Sequence, residues 1–229
     1  MKAMVSEKRW FSSILEQREV ITPKFNDNEV LIKVCSAGVN RGDIIDVATS
    51  DGGVCPGLEC SGIIEAVGSN VSCWKVGERV CAILKGGGYT EQVAVPANCV
   101  LPLPDDIDLD YAAGLPYASC SVWSALFKMC DLQTIKDKRI LIREGTSWIG
   151  ALAIQFAKYM GLKVIASTGS SETVSICDHY GADFSVDDTS GNFVTAVIEK
   201  AGRKDKHQVL SYGGVRLSLW IFMEQNVPV

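Results

Sequence analysis

The sequence predicts an α/β chain in two parts: short strands of a barrel or sandwich first, then an incomplete, doubly wound parallel sheet. Three observations carry this. Up to about residue 105, apolar runs are short and are broken by Gly, Asn and Pro. Beyond it, apolar strands alternate with stretches of helical periodicity. A glycine-bounded hexapeptide, 145–150, follows one of these strands and opens a helix. The two parts are placed at 1–115 and 116–229.

In the first part, Glu29 to Ser36 alternates, with Val30, Ile32 and Val34 on one face. Strands follow at Gly62 to Val67, turned by Gly68-Ser69-Asn70, then at Arg79 to Leu84, and at Tyr89 to Val95, stopped by Pro96. Asp108 opens a helical stretch with Leu109, Ala112 and Ala113. Cys120 to Met129 carries Val122, Leu126 and Met129 at helical spacing. In the second part, strands are expected at Arg139 to Ile142, Lys163 to Ala166 and Asp183 to Val186. Helices are expected at Trp148 to Met160, with a stripe of Ile149, Leu152, Phe156 and Tyr159, at Glu172 to Tyr180, and at Asn192 to Ala201. Gly161 and Gly181 are placed to end the first two helices.

Bulk composition narrows the function classes. Of 229 residues, 47% are hydrophobic and 21% charged, as in an ordinary globular protein. The net charge of −5 argues against a nucleic-acid or anionic-membrane partner, since both call for clustered Lys and Arg. No apolar run reaches the length of about 18 residues that a spanning helix needs, and the N-terminus lacks a secretory apolar segment. Nine cysteines without a C-x-x-C pair, and only two histidines, indicate neither a zinc knuckle nor a thioredoxin-type pair. A reducing, cytoplasmic setting is the simplest expectation.

The hexapeptide Gly145-Thr146-Ser147-Trp148-Ile149-Gly150 has the spacing of a dinucleotide fingerprint, with Ser147 at the middle glycine position. Such a turn must be tight. Its amides and the helix dipole then face a pyrophosphate. A βα turn of another α/β protein has the same appearance. At the end of the next strand stand Ser167, Thr168, Gly169, Ser170, Ser171 and Glu172. An NAD site usually has an acidic residue at the strand end for the ribose hydroxyls. Small hydroxyl residues leave room for a 2′-phosphate, which leans towards NADP, although Glu172 would repel it and no Arg or Lys lies nearby in sequence. A serine-rich helix cap accounts for the same residues.

Five motifs then fall in a familiar order: Val39-Asn40-Arg41-Gly42-Asp43, Pro56-Gly57-Leu58-Glu59-Cys60-Ser61-Gly62, Gly86-Gly87-Gly88-Tyr89 before Val93-Ala94-Val95-Pro96, Ser119-Cys120-Ser121-Val122-Trp123, and the turn 145–150. The chain resembles the medium-chain dehydrogenase/reductase superfamily, in its zinc-free NADPH:quinone oxidoreductase branch, from about residue 1 to about 200. The resemblance implies a GroES-like β-barrel, then a Rossmann domain, with an active cleft between them. It implies NADPH as cofactor, bound by Ser121, Gly145, Thr146, Ser147, Trp148, Ile149, Gly150, Thr168, Gly169 and Ser170. It implies Asn40 and Asp43 as the residues facing nicotinamide and substrate. Asn40 would offer an amide N–H to an oxygen that gains negative charge, and Asp43 would orient Asn40 or the backbone. As plain turn residues, both need no such role. The substrate would be a small-molecule quinone, or an enone or alkenal. No metal is expected, because Asn40 and Leu58 stand where zinc-dependent relatives carry Cys and His.

Departures from the pattern are equally definite. Trp148 stands where this branch usually has Gly, Thr173 where it has Lys, and Asp188 where it has Tyr. Arg143 and Glu144 replace a His and a small residue, and the loop 44–55 is short. Tyr89 reads as a cleft aromatic or a barrel-core tyrosine, and the cysteines read as small core residues. After Val209-Leu210-Ser211-Tyr212-Gly213-Gly214, which resembles the next strand of the branch, 215–229 matches nothing expected. About four of six sheet strands are present, and the family's dimer edge is missing. The expectation is a truncated or alternative product whose apolar tail (Leu217, Leu219, Trp220, Ile221, Phe222, Met223) covers the sheet edge or is disordered. It would be either an active reductase or a cofactor-weak form acting through a binding partner.

Overall fold

The computed structural model describes residues 1–10, 12–129, 139–201, 207–211 and 218–222. The chain divides into two compact units, Met1–Tyr117 and Ala118–Val229. Among the described residues no helix is long and apolar enough to cross a membrane.

The first unit opens with an antiparallel hairpin, β1 (Lys2–Arg9) and β2 (Ser12–Glu19). Its charged, weakly alternating sequence gave no strand signal. The main sheet holds β3 (Glu29–Ala37), β4 (Glu59–Val67), β5 (Arg79–Ile83), β6 (Gln92–Pro96) and β7 (Val100–Pro102), in the order β6-β3-β4-β5-β7, all antiparallel. Val30, Ile32, Ile64, Val80 and Val95 are almost fully buried, and their core gains stability from roughly 25 cal/mol for each Å² of apolar surface removed from water. β6 begins later than the expected Tyr89. Tyr89 lies in the preceding loop, and Pro96 ends the strand rather than following it.

Between β3 and β4, where the sequence suggests a loop over 44–55, runs a helix, α1 (Arg41–Thr49). It was missed because its apolar residues, Ile44, Ile45 and Val47, are few and mostly exposed. Asn40 and Asp43 are therefore not turn residues. Asn40 is the N-cap and Asp43 the third residue of α1. A short α2 (Leu109–Ala112) follows, capped by the Asp108 carboxylate accepting the Asp110 N–H.

α3 (Leu115–Trp123) starts before the expected Cys120 and continues as a π-helical stretch, Ser124–Met129. In the second unit β8 (Arg139–Ile142), α4 (Trp148–Tyr159), β9 (Lys163–Thr168), α5 (Val174–His179), β10 (Phe184–Asp187) and α6 (Phe193–Ala201) alternate as expected. A 3-10 turn, Ser171–Thr173, precedes α5, so that helix is shorter than its periodicity suggested. Gly161 and Gly181 end α4 and α5 in the left-handed region, at φ 77° and 101°.

β8, β9 and β10 pair in parallel. Alternate residues go to opposite layers. Ile140, Ile142, Val164 and Ala166 pack with α3 and α4, whereas Leu141 and Ile165 pack with Val197 of α6. The expected stripe on α4 needs correction. Its deeply buried residues are Gly150, Ala151, Ala153, Ile154 and Ala157, while Ile149, Leu152 and Phe156 flank the core and Tyr159 is 86% exposed. Small residues face the sheet because a helix laid this close leaves no room for rings. The cysteines also divide: Cys60, Cys81 and Cys177 are buried, but Cys35, Cys73 and Cys120 are exposed.

The far half of the sheet departs from the expected all-parallel order. β11 (His207–Ser211) and β12 (Ser218–Phe222) form an antiparallel hairpin, and β12 pairs antiparallel with β8, giving β10-β9-β8-β12-β11. The tail does cover an edge of β8. β11 keeps the direction of β8 but sits one strand further out. Five strands make up this sheet rather than four. Tyr212, Gly213, Gly214, Leu217 and Met223 lie outside the described residues.

Candidate functional site

The turn 145–150 joins β8 to α4 tightly. The Gly145 N–H donates to the Ser167 carbonyl at 2.8 Å, tying the end of β8 to the end of β9. A Cβ on Gly145 would come within 2.7 Å of Cys177 Sγ and 3.1 Å of Ile154 Cδ1, and one on Gly150 would run into the Glu144 carbonyl oxygen. Both glycines are thus demanded by close approach. Ser147 is the N-cap of α4, and its Oγ accepts the Gly150 N–H at 3.0 Å. Glu144, where a small residue was expected, is held in the left-handed region at φ 54°. Trp148, the first residue of α4, is 57% exposed. The cradle that these glycines leave, at the positive end of a twelve-residue helix, fits a pyrophosphate.

The end of β9 is only partly available. Thr168 is 2% exposed, and its hydroxyl is bonded to Thr173 Oγ1 at 2.6 Å, with Thr146 Oγ1 at 3.5 Å. Ser170 caps the 3-10 turn by accepting the Glu172 N–H. Gly169 has open space around its Cα. A cation does stand here, contrary to the reading from neighbouring sequence. Arg143, at the end of β8, pairs with Asp188 at 3.2 Å, and the same Asp188 oxygen accepts Ser167 Oγ at 3.1 Å. Ser121 is buried on α3.

In the first unit, polar side chains converge at the head of α1. Asp43, 3% exposed, accepts three bonds: from the Asn40 N–H at 2.7 Å, the Gly57 N–H at 3.1 Å and the Tyr89 hydroxyl at 2.9 Å. So engaged, it ties together the Asn40 and Gly57 main chains and the Tyr89 side chain. Burial and the Asp43 carboxylate push the Tyr89 phenol above its usual range, so Tyr89 stays a neutral donor. Asn40 Nδ2 donates to Glu59 Oε1 at 2.7 Å. Glu59 was missed as a functional candidate because its partners, Asn40 and Tyr117, are remote in sequence. Beside Asp43 and Tyr89, a cavity of about 430 Å³ is walled by the apolar side chains of Leu15, Val39, Ile44 and Val47.

Residues 26–105 match the Alcohol dehydrogenase GroES-like domain family. Over 200 residues the chain is 32% identical to quinone oxidoreductase of Sus scrofa, covering 82% of this chain and 58% of that one. It is 29% identical to the chloroplastic NADPH-dependent alkenal/one oxidoreductase of Arabidopsis thaliana, covering 96% and 62%. Escherichia coli quinone oxidoreductase, solved with NADPH, shares the fold at a TM-score of 0.76 and 23% identity, over 90% of this chain and 64% of that one. The matched domain and these likenesses support membership of the medium-chain dehydrogenase/reductase superfamily, in its quinone oxidoreductase branch. The chain spans about three fifths of the length of the superfamily members it matches. The Asn40 amide is bonded to Glu59, and Leu58 Cδ1 fills the space a Cβ on Gly42 would need. Among the described residues no group of three or more His, Cys, Asp or Glu is placed to hold a metal ion.

Proposed function

We propose that this chain binds NADPH and reduces a small quinone by hydride transfer. The observation that carries the reading is the turn 145–150, in which Gly145 and Gly150 each exclude any side chain at the mouth of α4. Its amides would hold the pyrophosphate, with Ser121 and Thr146 alongside. Gly169 and Ser170, with Arg143 near them, would hold the adenosine ribose and its 2′-phosphate. The Thr168 hydroxyl, turned inward, would shape that pocket through Thr173 rather than touch the ligand. When bound, the cofactor supplies the hydride.

The remaining chemistry belongs to the first unit. Asn40 would donate Nδ2–H to the substrate oxygen as negative charge builds on it. Asp43 would hold the Asn40 main chain and the Tyr89 hydroxyl in place. The apolar cavity beside them suits the body of a quinone. Reduction of an enone or alkenal double bond is the second reading, favoured by the likeness to the Arabidopsis protein. It uses the same donor, since charge again gathers on a carbonyl oxygen. A third reading, a cofactor-weak form acting through a partner, is favoured by the Arg143–Asp188 pair and the bulk of Trp148 at the turn.

Tryptophan fluorescence tests the proposal, with Trp148 as the local reporter. Saturable quenching at micromolar NADPH, weaker with NADH, is expected. No response up to millimolar cofactor would sink both reductase readings and leave the third.

A further inference from the structure

We propose that Glu59 is a positioning residue: its buried carboxylate fixes which way round the Asn40 side-chain amide stands, and so which of its atoms meets a substrate. This rests on the reading of Asn40 as donor to the substrate oxygen. Glu59 opens β4 and is 1% exposed, among the most deeply buried large side chains of the first unit. A carboxylate in such a place needs an N–H for each oxygen. Oε1 takes one from Asn40 Nδ2 at 2.7 Å and Oε2 one from the Tyr117 main chain at 2.8 Å. A Cβ on Gly38 would collide with the carboxylate, so that glycine is what lets it reach Asn40.

The chemistry of the pair decides the orientation. Burial pushes the Glu59 carboxyl above its usual range, opposed by the N–H groups of Tyr117 and Asn40; in its ionised form the carboxylate only accepts. It holds the nitrogen end of the Asn40 amide and repels Oδ1. The Asn40 main chain is held independently by Asp43, so the side chain has little freedom except to turn about its last bond. Without an acceptor at position 59, the two faces of the amide are nearly equivalent, and half the molecules present the wrong one.

Glu59→Gln separates this role from simple core filling. Glutamine has the same volume and offers one acceptor and one donor group. Both buried bonds survive only if its Oε1 takes the Tyr117 N–H and its Nε2–H donates to Asn40 Oδ1. That arrangement turns Asn40 around. The variant is expected to fold, to shift the Asn40 side-chain amide signals in ¹⁵N–¹H spectra, and to lower kcat for 1,4-naphthoquinone by about 10²-fold. The KM for NADPH should stay within about twofold. In an Asn40→Ala background the same change should cost less than about twofold more. Independent, multiplying losses would overturn the proposal, as would unmoved Asn40 signals. Shifted signals with unchanged kcat would overturn the link to catalysis. If the variant does not fold, the unmodified protein still decides the matter. A scalar coupling across the hydrogen bond, from Asn40 Nδ2 to the Glu59 carboxyl carbon, is required. Its absence sinks the idea. If the unmodified protein turns over no quinone with NADPH, the functional reading fails, while the two amide measurements still judge Glu59.

Discussion

The head of α1 and the mouth of α4 are both helix N-termini that gather candidate site residues, but they are held together in opposite ways. At α1 most bonds are long-range: Asn40 to Glu59, Asp43 to Gly57, Asp43 to Tyr89, Glu59 to Tyr117. They stitch separate strands and loops around two buried carboxylates. At α4 and the strand end beside it, the helix caps are local, Ser147 to Gly150, Ser170 to Glu172 and Thr168 to Thr173, and the longer-range bonds, Gly145 to Ser167, Ser167 to Asp188 and Arg143 to Asp188, join only the ends of β8, β9 and β10. The first site exists only when the whole unit is folded. The second is built from local caps and from bonds between neighbouring strand ends, some of them at exposed side chains. Damage to the first should therefore appear as lost stability, and damage to the second as altered ligand affinity.

The sharpest way to break this contrast is Asp43→Ala. It orphans three donors, one of them the buried Gly57 amide. The expected loss is about 3 kcal/mol or more, seen as a lower denaturant midpoint. A loss under about 1 kcal/mol would mean the stitching is not what holds this unit.

Next in size is the pair at the strand ends. Asp188→Asn should release Arg143 and tighten NADPH, and Arg143→Ala should weaken it, each by up to about tenfold. Melting temperatures should move little, since the Arg143 side chain is 43% exposed and exposed pairs contribute about 0–1 kcal/mol. Equal effects on NADH and NADPH would remove Arg143 from the 2′-phosphate pocket. The smallest change is Ser147→Gly. Losing the cap should cost only a few tenths of a kcal/mol. It should also free the Gly150 amide from Ser147 Oγ, so NADPH should bind somewhat more tightly in the fluorescence titration. Weaker binding would make the Ser147 hydroxyl itself a ligand.

The same contrast explains what could be read from the sequence. Gly145, Ser147 and Gly150 announce themselves because a tight turn and a cap are encoded within six neighbouring residues. So do Gly161 and Gly181 at the helix ends. Asn40 and Asp43 were singled out, but only through resemblance. Their helix was missed because α1 exposes most of its apolar residues. Glu59 carries no local mark at all. It is a glutamate at a strand start, and what makes it unusual is burial against donors 19 and 58 residues away. The α4 stripe misled for a related reason. Periodicity finds large apolar residues, whereas close packing on the sheet selects Ala153 and Ala157.

The place of β12 has a consequence for how the chain is made. β8 is paired on one side with β9, which follows it directly, and on the other with β12, which comes after three further helices and strands. While the polypeptide emerges from the ribosome, the second flank of β8 stays an open row of amides and carbonyls until 218–222 have left the exit tunnel. Nascent chains caught in that interval should be the ones most inclined to associate with each other or with a chaperone, and completing the hairpin ends the exposure.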